Sequence, residues 1–260
     1  MSAFEHVIVE QEGAILWIAI NRPAALNALN PLAHRELSAA LDGYAVDSAL
    51  RVAVITGAGE RAFCVGSDLK ARAAANADDH PPTGFGGISH RFDLAKPVIA
   101  AVNGLALGGG VEIVAACDLA IAADHAEFGL PEPRVGLAAL GGGGLQRLAR
   151  HLPLKYAMEL VLSGRRFGAE EAKRIGMIND VVPRAELKAR VRAMAEQIIE
   201  GAPLAVEASK QVMLHSLALP DLATALRARY PAAERMLASE DAREGQRAFV
   251  EKRKPCWQGR

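Results

Sequence analysis

Three times along this chain of 260 residues a short apolar run gives way, at a tight turn, to a helical stretch: residues 18–40, 52–70 and 98–116. A strand-turn-helix unit cannot bury its apolar face alone, so such units must stack, and stacking brings the loops after the strands to one side. The chain is therefore read as α/β. Ahead of the second unit, residues 6–10 and 14–20 have strand character and are joined by Gln11-Glu12-Gly13, with Asn21-Arg22-Pro23 closing a hairpin. Asn30 can cap a helix whose first position is Pro31, after which Leu37, Leu41 and Tyr44 recur at helical spacing. Further strands are expected at 52–56, ending at Gly57, at 97–102 and at 118–122. Residues 76–87 have no apolar period and are expected to form a surface loop between two short helices. After Pro183 the pattern is helical, over 185–200, 203–217, 221–229 and about 240–251, with Pro231 expected to split or kink the run.

Thirty basic residues balance thirty acidic ones, so no global field recruits nucleic acid or an anionic membrane, and an anionic ligand must be met locally. The most apolar stretch, 97–123, is interrupted by Asn103, Glu112 and Asp118, which argues against a membrane span. Cys64, Cys117 and Cys256 are too few for a disulfide framework and have no metal-ligand spacing, which fits a reducing cytoplasm. His80, His90 and His125 share no ligand spacing with acids or cysteines, and no metal is expected. Gly57-Ala58-Gly59-Glu60-Arg61-Ala62 imitates a dinucleotide fingerprint, with Asp78 and Asp79 downstream, but it does not follow the first strand and breaks at Gly66. Lys188, Arg190 and Arg192 could suggest an RNA contact; without interleaved aromatics they read better as a solvated helix face.

Chemistry concentrates where the strand at 97–102 delivers the chain to Gly108-Gly109-Gly110 at the start of a helix. Absent side chains let a ligand approach the backbone, and N–H groups at a helix start lack internal partners, so this is a candidate anion or oxyanion site. A glycine triplet is equally a tight turn against a packed helix. Glu112 alters the balance: its helical neighbours Ala115, Ala116 and Leu119 are apolar, and a desolvated carboxylate acquires the raised proton affinity that acid-base chemistry near neutral pH needs. Glu132, between Pro131 and Pro133, is expected to be held extended, although by itself it is equally an exposed turn residue. Gly66-Ser67-Asp68-Leu69 offers a second backbone site, or simply a helix cap.

Taken together, Ala62-Phe63-Cys64-Val65-Gly66-Ser67-Asp68-Leu69, Lys96-Pro97-Val98-Ile99-Ala100-Ala101-Val102-Asn103-Gly104, Gly108-Gly109-Gly110-Val111-Glu112 and Phe128-Gly129-Leu130-Pro131-Glu132 resemble the crotonase, or enoyl-CoA hydratase/isomerase, superfamily in order and spacing. The resemblance spans nearly the whole chain. It implies a crotonase-like spiral of repeated ββα units over residues 1–200 with a C-terminal helical region, 201–260, that assembles a homo-trimer or a hexamer. It implies an acyl-CoA substrate, with coenzyme A as part of that substrate and no separate cofactor. Ser67 and Gly109 would supply the oxyanion N–H groups, and Glu112 and Glu132 the two catalytic carboxylates of a hydratase. Arg22, Ala24, Leu26, Asp68, Leu69 and Lys70 would line the coenzyme-A path, with Phe249 and Lys252 approaching the nucleotide end, from a neighbouring subunit on one reading. Many relatives carry lysine where Ala24 stands, and residues 136–144 depart from the commonest pattern with an extra residue and four consecutive glycines. Within the superfamily, residues 164–172, 239–245 and the Trp257-Gln258-Gly259-Arg260 end are most similar to carnitinyl-CoA dehydratases, although members of that branch carry a large aromatic in place of Ser67. Enoyl-CoA isomerisation and thioester hydrolysis are the alternatives inside the superfamily; an isomerase needs only one carboxylate.

Overall fold

The structure, a computed structural model, describes residues 4–71 and 80–260. Strands β1 (Val7–Glu12) and β2 (Ile15–Ile20) form the expected antiparallel hairpin, with Val7 opposite Ile20. The chain then runs the same course three times. Strands β3 (Val52–Gly57), β5 (Val98–Val102) and β7 (Leu119–Ala123) lie parallel beside β2 in a six-stranded sheet of order β1-β2-β3-β5-β7-β10, closed by β10 (Asp180–Val182). Each is followed by a three-residue strand in a second sheet: β4 (Ala62–Cys64), β6 (Leu105–Leu107) and β8 (Glu127–Gly129), with β9 (Arg166–Gly168) antiparallel at the edge. This alternation between two sheets is the spiral that the resemblance implied.

Period-two alternation explains how one strand serves two cores. Val98, Ala100 and Val102 of β5 face the main core, whereas Ile99 and Ala101 face a second cluster. The helices are α1 (Pro31–Val46), α2 (Gly109–Ala116), α3 (Gly144–His151), α4 (Leu154–Ser163), α5 (Ala169–Arg174), α6 (Leu187–Ile199), α7 (Pro203–Ser216), α8 (Leu222–Arg227), α9 (Pro231–Ala238) and α10 (Glu240–Val250). Leu187, Val191 and Ala195 of α6, spaced at one helical face, cover that second cluster. Asn30 caps α1 as expected, accepting the N–H of Ala33 at 2.9 Å, with Pro31 at the first helical position. On α6, Arg190 and Arg192 are engaged by Asp180 and Glu12, and Lys188 lies over the Trp17 ring.

One expectation is corrected. The stretch 76–87 is a surface loop only in part where it is described: residues 80–83 are half-buried or exposed, whereas residues 84–89 are buried and Phe85 is 2% exposed, because the glycines around Phe85 let the turn pack inward against α1 and α2. Residues 76–79, including Asp78 and Asp79, lie outside the described residues. Pro231 splits the helical run as expected: α8 ends at Arg227 and Pro231 starts a further helix, α9, where its missing N–H would have had no partner anyway. The C-terminal end is tied back firmly. The buried Asp241 carboxylate accepts the N–H groups of Gln258 and Gly259 at 2.7 and 2.8 Å, and Trp257 Nε1 donates to the Glu200 carbonyl.

Asn103 joins two turns of the spiral: its Oδ1 accepts the N–H of Gly57 at 3.1 Å, and its Nδ2 donates to the carbonyls of Gly57 and Gly59 at 2.9 and 3.1 Å. Asn103→Ala leaves those buried backbone groups unpaired and is expected to cost about 1–3 kcal/mol. Chemical denaturation measures it, and an unchanged midpoint would show that the turns hold without this link.

Candidate functional site

The second sheet gathers the site. Its three parallel strands deliver one predicted element each: β4 leads to Ser67, β6 to Gly109 and β8 to Glu132. Loops after adjacent parallel strands emerge together, so sequence positions 67, 109 and 132 become neighbours. Gly108 N–H donates to the Gly129 carbonyl at 2.8 Å, joining the ends of β6 and β8. The β4 end closes on the same point. Gly66 holds φ at +92°, and a Cβ there would stand 3.0 Å from Gly109 N. Gly110 is packed harder still, since its Cβ would fall 1.9 Å from the Cys64 carbonyl oxygen.

These contacts leave two N–H groups without a backbone acceptor among the described residues. Ser67 pairs with Leu29 in an isolated parallel bridge whose bonds run through Gly66 O and Asp68 N, so Ser67 N–H points away from that partner. Gly109 is the first residue of α2, and its N–H has no intrahelical acceptor. Asp68 is a helix cap, its Oδ1 accepting the N–H groups of Lys70 and Ala71 at 3.2 Å, and its Oδ2 meets Arg22 Nη2 at 2.9 Å.

One turn into α2, Glu112 is 3% exposed. Its Oε1 accepts the N–H of Gly144 at 2.9 Å, at the start of α3. A Cβ on Gly142 or Gly144 would lie 2.6 and 3.0 Å from the Glu112 side chain, so the four-glycine run is where α3 closes over this carboxylate. Burial raises the Glu112 carboxyl above the usual range; the N–H groups of Gly144 and Gly142, then the charge of Arg147, oppose the rise. Glu132 is not extended, as the flanking prolines suggested, but opens a 3₁₀ helix over Glu132–Val135, with Pro133 in the first turn, where no N–H is required. A Cβ on Gly108 would stand 2.8 Å from Glu132 Oε1. Its Oε2 is buried without a hydrogen-bond partner among the described residues. Burial raises its proton affinity, its own backbone N–H opposes the rise, and the charge of Glu112 adds to it.

Of the expected coenzyme-A contacts, Ala24 and Leu26 border a cavity of about 190 Å³ that Pro23, Asn27, Glu60 and Arg61 also line. Arg22 is committed to Asp68 and the Ala28 carbonyl, and it braces the Ser67 loop. Leu69 and Lys70 are exposed beside that loop. Phe249 and Lys252 stand at the end of α10, with Phe249 85% exposed, and in a single chain they belong to the helical region. Reading the sequence missed Phe85, Gly142, Gly144 and Arg147. The Gly84-Phe85-Gly86-Gly87 and 141–144 glycine runs were the available signals.

The family model described as enoyl-CoA hydratase/isomerase matches residues 10–260. The carnitinyl-CoA dehydratase of Escherichia coli strain K12 is 43% identical, the match covering 98% of this chain and 99% of that protein. Crystal structures of enoyl-CoA hydratases from Mycobacterium tuberculosis H37Rv and Mycobacterium marinum each superpose with a TM-score of 0.92, at 40% and 42% identity, over 98% of this chain and 99% of theirs. With its spiral, its strand ends and its length all matched, the chain belongs to the enoyl-CoA hydratase/isomerase family of the crotonase superfamily.

Proposed function

We propose that this enzyme adds water reversibly across the 2,3 double bond of an enoyl-CoA thioester, using Glu112 and Glu132 on one side and the N–H groups of Ser67 and Gly109 on the other. The observation that carries the reading is the pair of separately delivered carboxylates, both desolvated and both raised in proton affinity, beside a helix start with an unpartnered N–H. Attack of water on the β-carbon builds enolate character on the thioester oxygen, and preorganised amides aimed there stabilise that charge more than the ground state. Glu112, held in place by Gly144, deprotonates the water. Glu132, with a free buried oxygen, delivers a proton to the α-carbon. Coenzyme A enters as part of the substrate, along Ala24, Leu26 and the Asp68-Leu69-Lys70 loop that Arg22 braces.

Dehydration of a carnitinyl-CoA is the second reading, favoured by the 43% identity to a protein of that name. It is the same chemistry with a different acyl group. A panel of straight-chain enoyl-CoA thioesters and crotonobetainyl-CoA, followed by loss of the conjugated absorbance, separates the two. No helix among the described residues is long and apolar enough to cross a membrane. We place the enzyme in a reducing cytoplasm, where its three free thiols remain reduced.

Residues 1–200 form the catalytic core in this reading and 201–260 the oligomerisation region. Met213, Leu217, Leu222, Leu226 and Phe249 are all more than two-thirds exposed in the single chain, more apolar surface than a small helical region leaves to water. A homo-trimer or a dimer of trimers is expected by light scattering at micromolar concentration; a monomer would remove the basis for a contribution of Phe249 and Lys252 to a neighbouring site.

Glu112→Gln and Glu132→Gln are each expected to lower turnover by about 10²-fold or more, the ordinary contribution of a general acid or base. Near-normal hydration by either variant would end the two-glutamate mechanism. Stability should move the other way for Glu112→Gln. A carboxyl whose proton affinity is raised by folding favours the folded state at low pH, and that advantage is lost as pH rises through the raised value. At pH 7.5 the buried charge opposes folding, so the neutral variant is expected to melt higher, by about 2–4 °C for each kcal/mol relieved. At pH 4 the gain should vanish; an equal gain at both values would locate its cause elsewhere.

A further inference from the structure

We propose that Phe85 is a positioning residue of the oxyanion site: its ring is a wedge, braced by His34, that fixes the direction of the Gly109 N–H. The proposal rests on the reading of Gly109 as a donor to the thioester oxygen.

The ring tip lies directly on the Gly109 backbone. A Cβ at Gly109 would stand 2.2, 2.4 and 2.9 Å from Cζ, Cε1 and Cε2 of Phe85. On its other side the ring meets His34 edge-on, with centroids 4.6 Å apart. The turn that carries the ring is itself fixed. Gly86 N–H donates to His34 Nδ1 at 3.0 Å, a Cβ at Gly86 would stand 2.8 Å from the Ile113 side chain, and one at Gly87 would stand 2.4 Å from the Ser38 backbone. Arg91 closes the turn from outside, its Nε donating to the Gly87 carbonyl at 2.6 Å and its Nη2 to the Ser38 carbonyl at 2.7 Å. Because Nδ1 accepts, His34 is neutral with its proton on Nε2, and burial, which pushes its pKa down to about 3, keeps it so.

The peptide that carries the Gly109 N–H is held at its carbonyl end by the Glu112 N–H, which donates to Gly108 O at 3.2 Å, and without side chains on the triplet its other end is held by what packs on Gly109. Gly110 is pressed against the Cys64 carbonyl, and Gly108 lies under Glu132. At Gly109, Gly66 lies against the amide nitrogen and the Phe85 ring meets the α-carbon. An oxyanion donor acts through preorganisation, so loosening this contact should weaken transition-state binding while leaving coenzyme-A contacts alone.

The test compares Gly109→Ala, Phe85→Ala, Phe85→Leu and the Gly109→Ala/Phe85→Ala pair. Turnover of an enoyl-CoA is read beside the enolate absorbance of bound acetoacetyl-CoA, whose charge falls on the thioester oxygen. Gly109→Ala is expected to lose about 10²-fold in turnover, the loss typical of one oxyanion donor. Phe85→Ala should lose about 10-fold in turnover and in enolate fraction, with the affinity for free coenzyme A unchanged within about threefold. The double variant should recover about 10-fold over Gly109→Ala, because the added methyl group enters the space the ring has left. A double variant no better than Gly109→Ala overturns the wedge and leaves the donor reading standing. Gly109→Ala with a wild-type enolate signal overturns the wedge, because alanine keeps the N–H and the methyl group against the ring would then have left its direction unchanged; a wild-type enzyme that gives bound acetoacetyl-CoA no enolate absorbance overturns the donor reading, and the wedge with it. Should Phe85→Ala not fold, Phe85→Leu decides: a wild-type enolate signal overturns the wedge, and a reduced one at unchanged coenzyme-A affinity supports it.

Discussion

The site depends on one close approach of backbone to backbone, where the end of β4 meets the start of α2. Gly66 faces Gly109 N, and Gly110 lies against the Cys64 carbonyl with no room for a methyl group. Everything else is a consequence of that distance. It brings the Ser67 and Gly109 amides side by side, and it sets α2 so that Glu112, one turn on, is carried into the interior. The ladder from β6 to β8 then adds Glu132 through the bond from Gly108 to Gly129. A side chain at any of the crowded glycine positions would separate the strand ends and disperse the four groups together.

Much of this was legible in the sequence, and the reason is physical. The long strands of the first sheet are buried on both faces, so they announce themselves as apolar runs. Asn30 and Pro31 announce α1 in the same way, through the chemistry of an N-terminus. The second sheet was not visible as strands, because three residues of Ala62–Cys64 or Leu105–Leu107 are too few for any period to show. The residues around Phe85 misled in the opposite direction. Glycine, proline and histidine signal a turn, and there is a turn; what composition cannot say is that it folds inward onto α1. Glu132 failed for a related reason: a proline after it excludes the middle of a helix but not its first turn.

The two carboxylates are held differently, and the difference suits the division of labour proposed for them. Glu112 is almost wholly buried, yet it keeps one bond to Gly144 N–H that favours its charged form. Glu132 has a buried oxygen with nothing to bond to among the described residues, and its proton affinity is raised by both burial and its neighbour's charge. The charged form of Glu112 is favoured by the N–H groups of Gly144 and Gly142 and by the charge of Arg147, whereas that of Glu132 is favoured by its own backbone N–H alone and opposed by the charge of Glu112. Ordered that way, Glu112 is the better base and Glu132 the better acid, and protonation of Glu132 relieves the repulsion between the two.

The same packing restricts where substrate specificity can reside. The four glycines at 141–144 belong to the segment that departs from the commonest pattern of the superfamily. In the structure Gly142 and Gly144 are glycine because Glu112 occupies the volume that their side chains would fill. They make room for that carboxylate, and enlarging them would displace Glu112 first. Discrimination among acyl groups must then come from side chains free of that duty. Those nearest the carboxylates along the chain are Val135, Leu137 and Leu140, all exposed, between Glu132 and the glycine run. A loop of that kind can change the acyl group without changing the reaction, which fits relatives of nearly equal likeness to this chain, 43% and 42% identical, that bear the names of a dehydratase and of a hydratase.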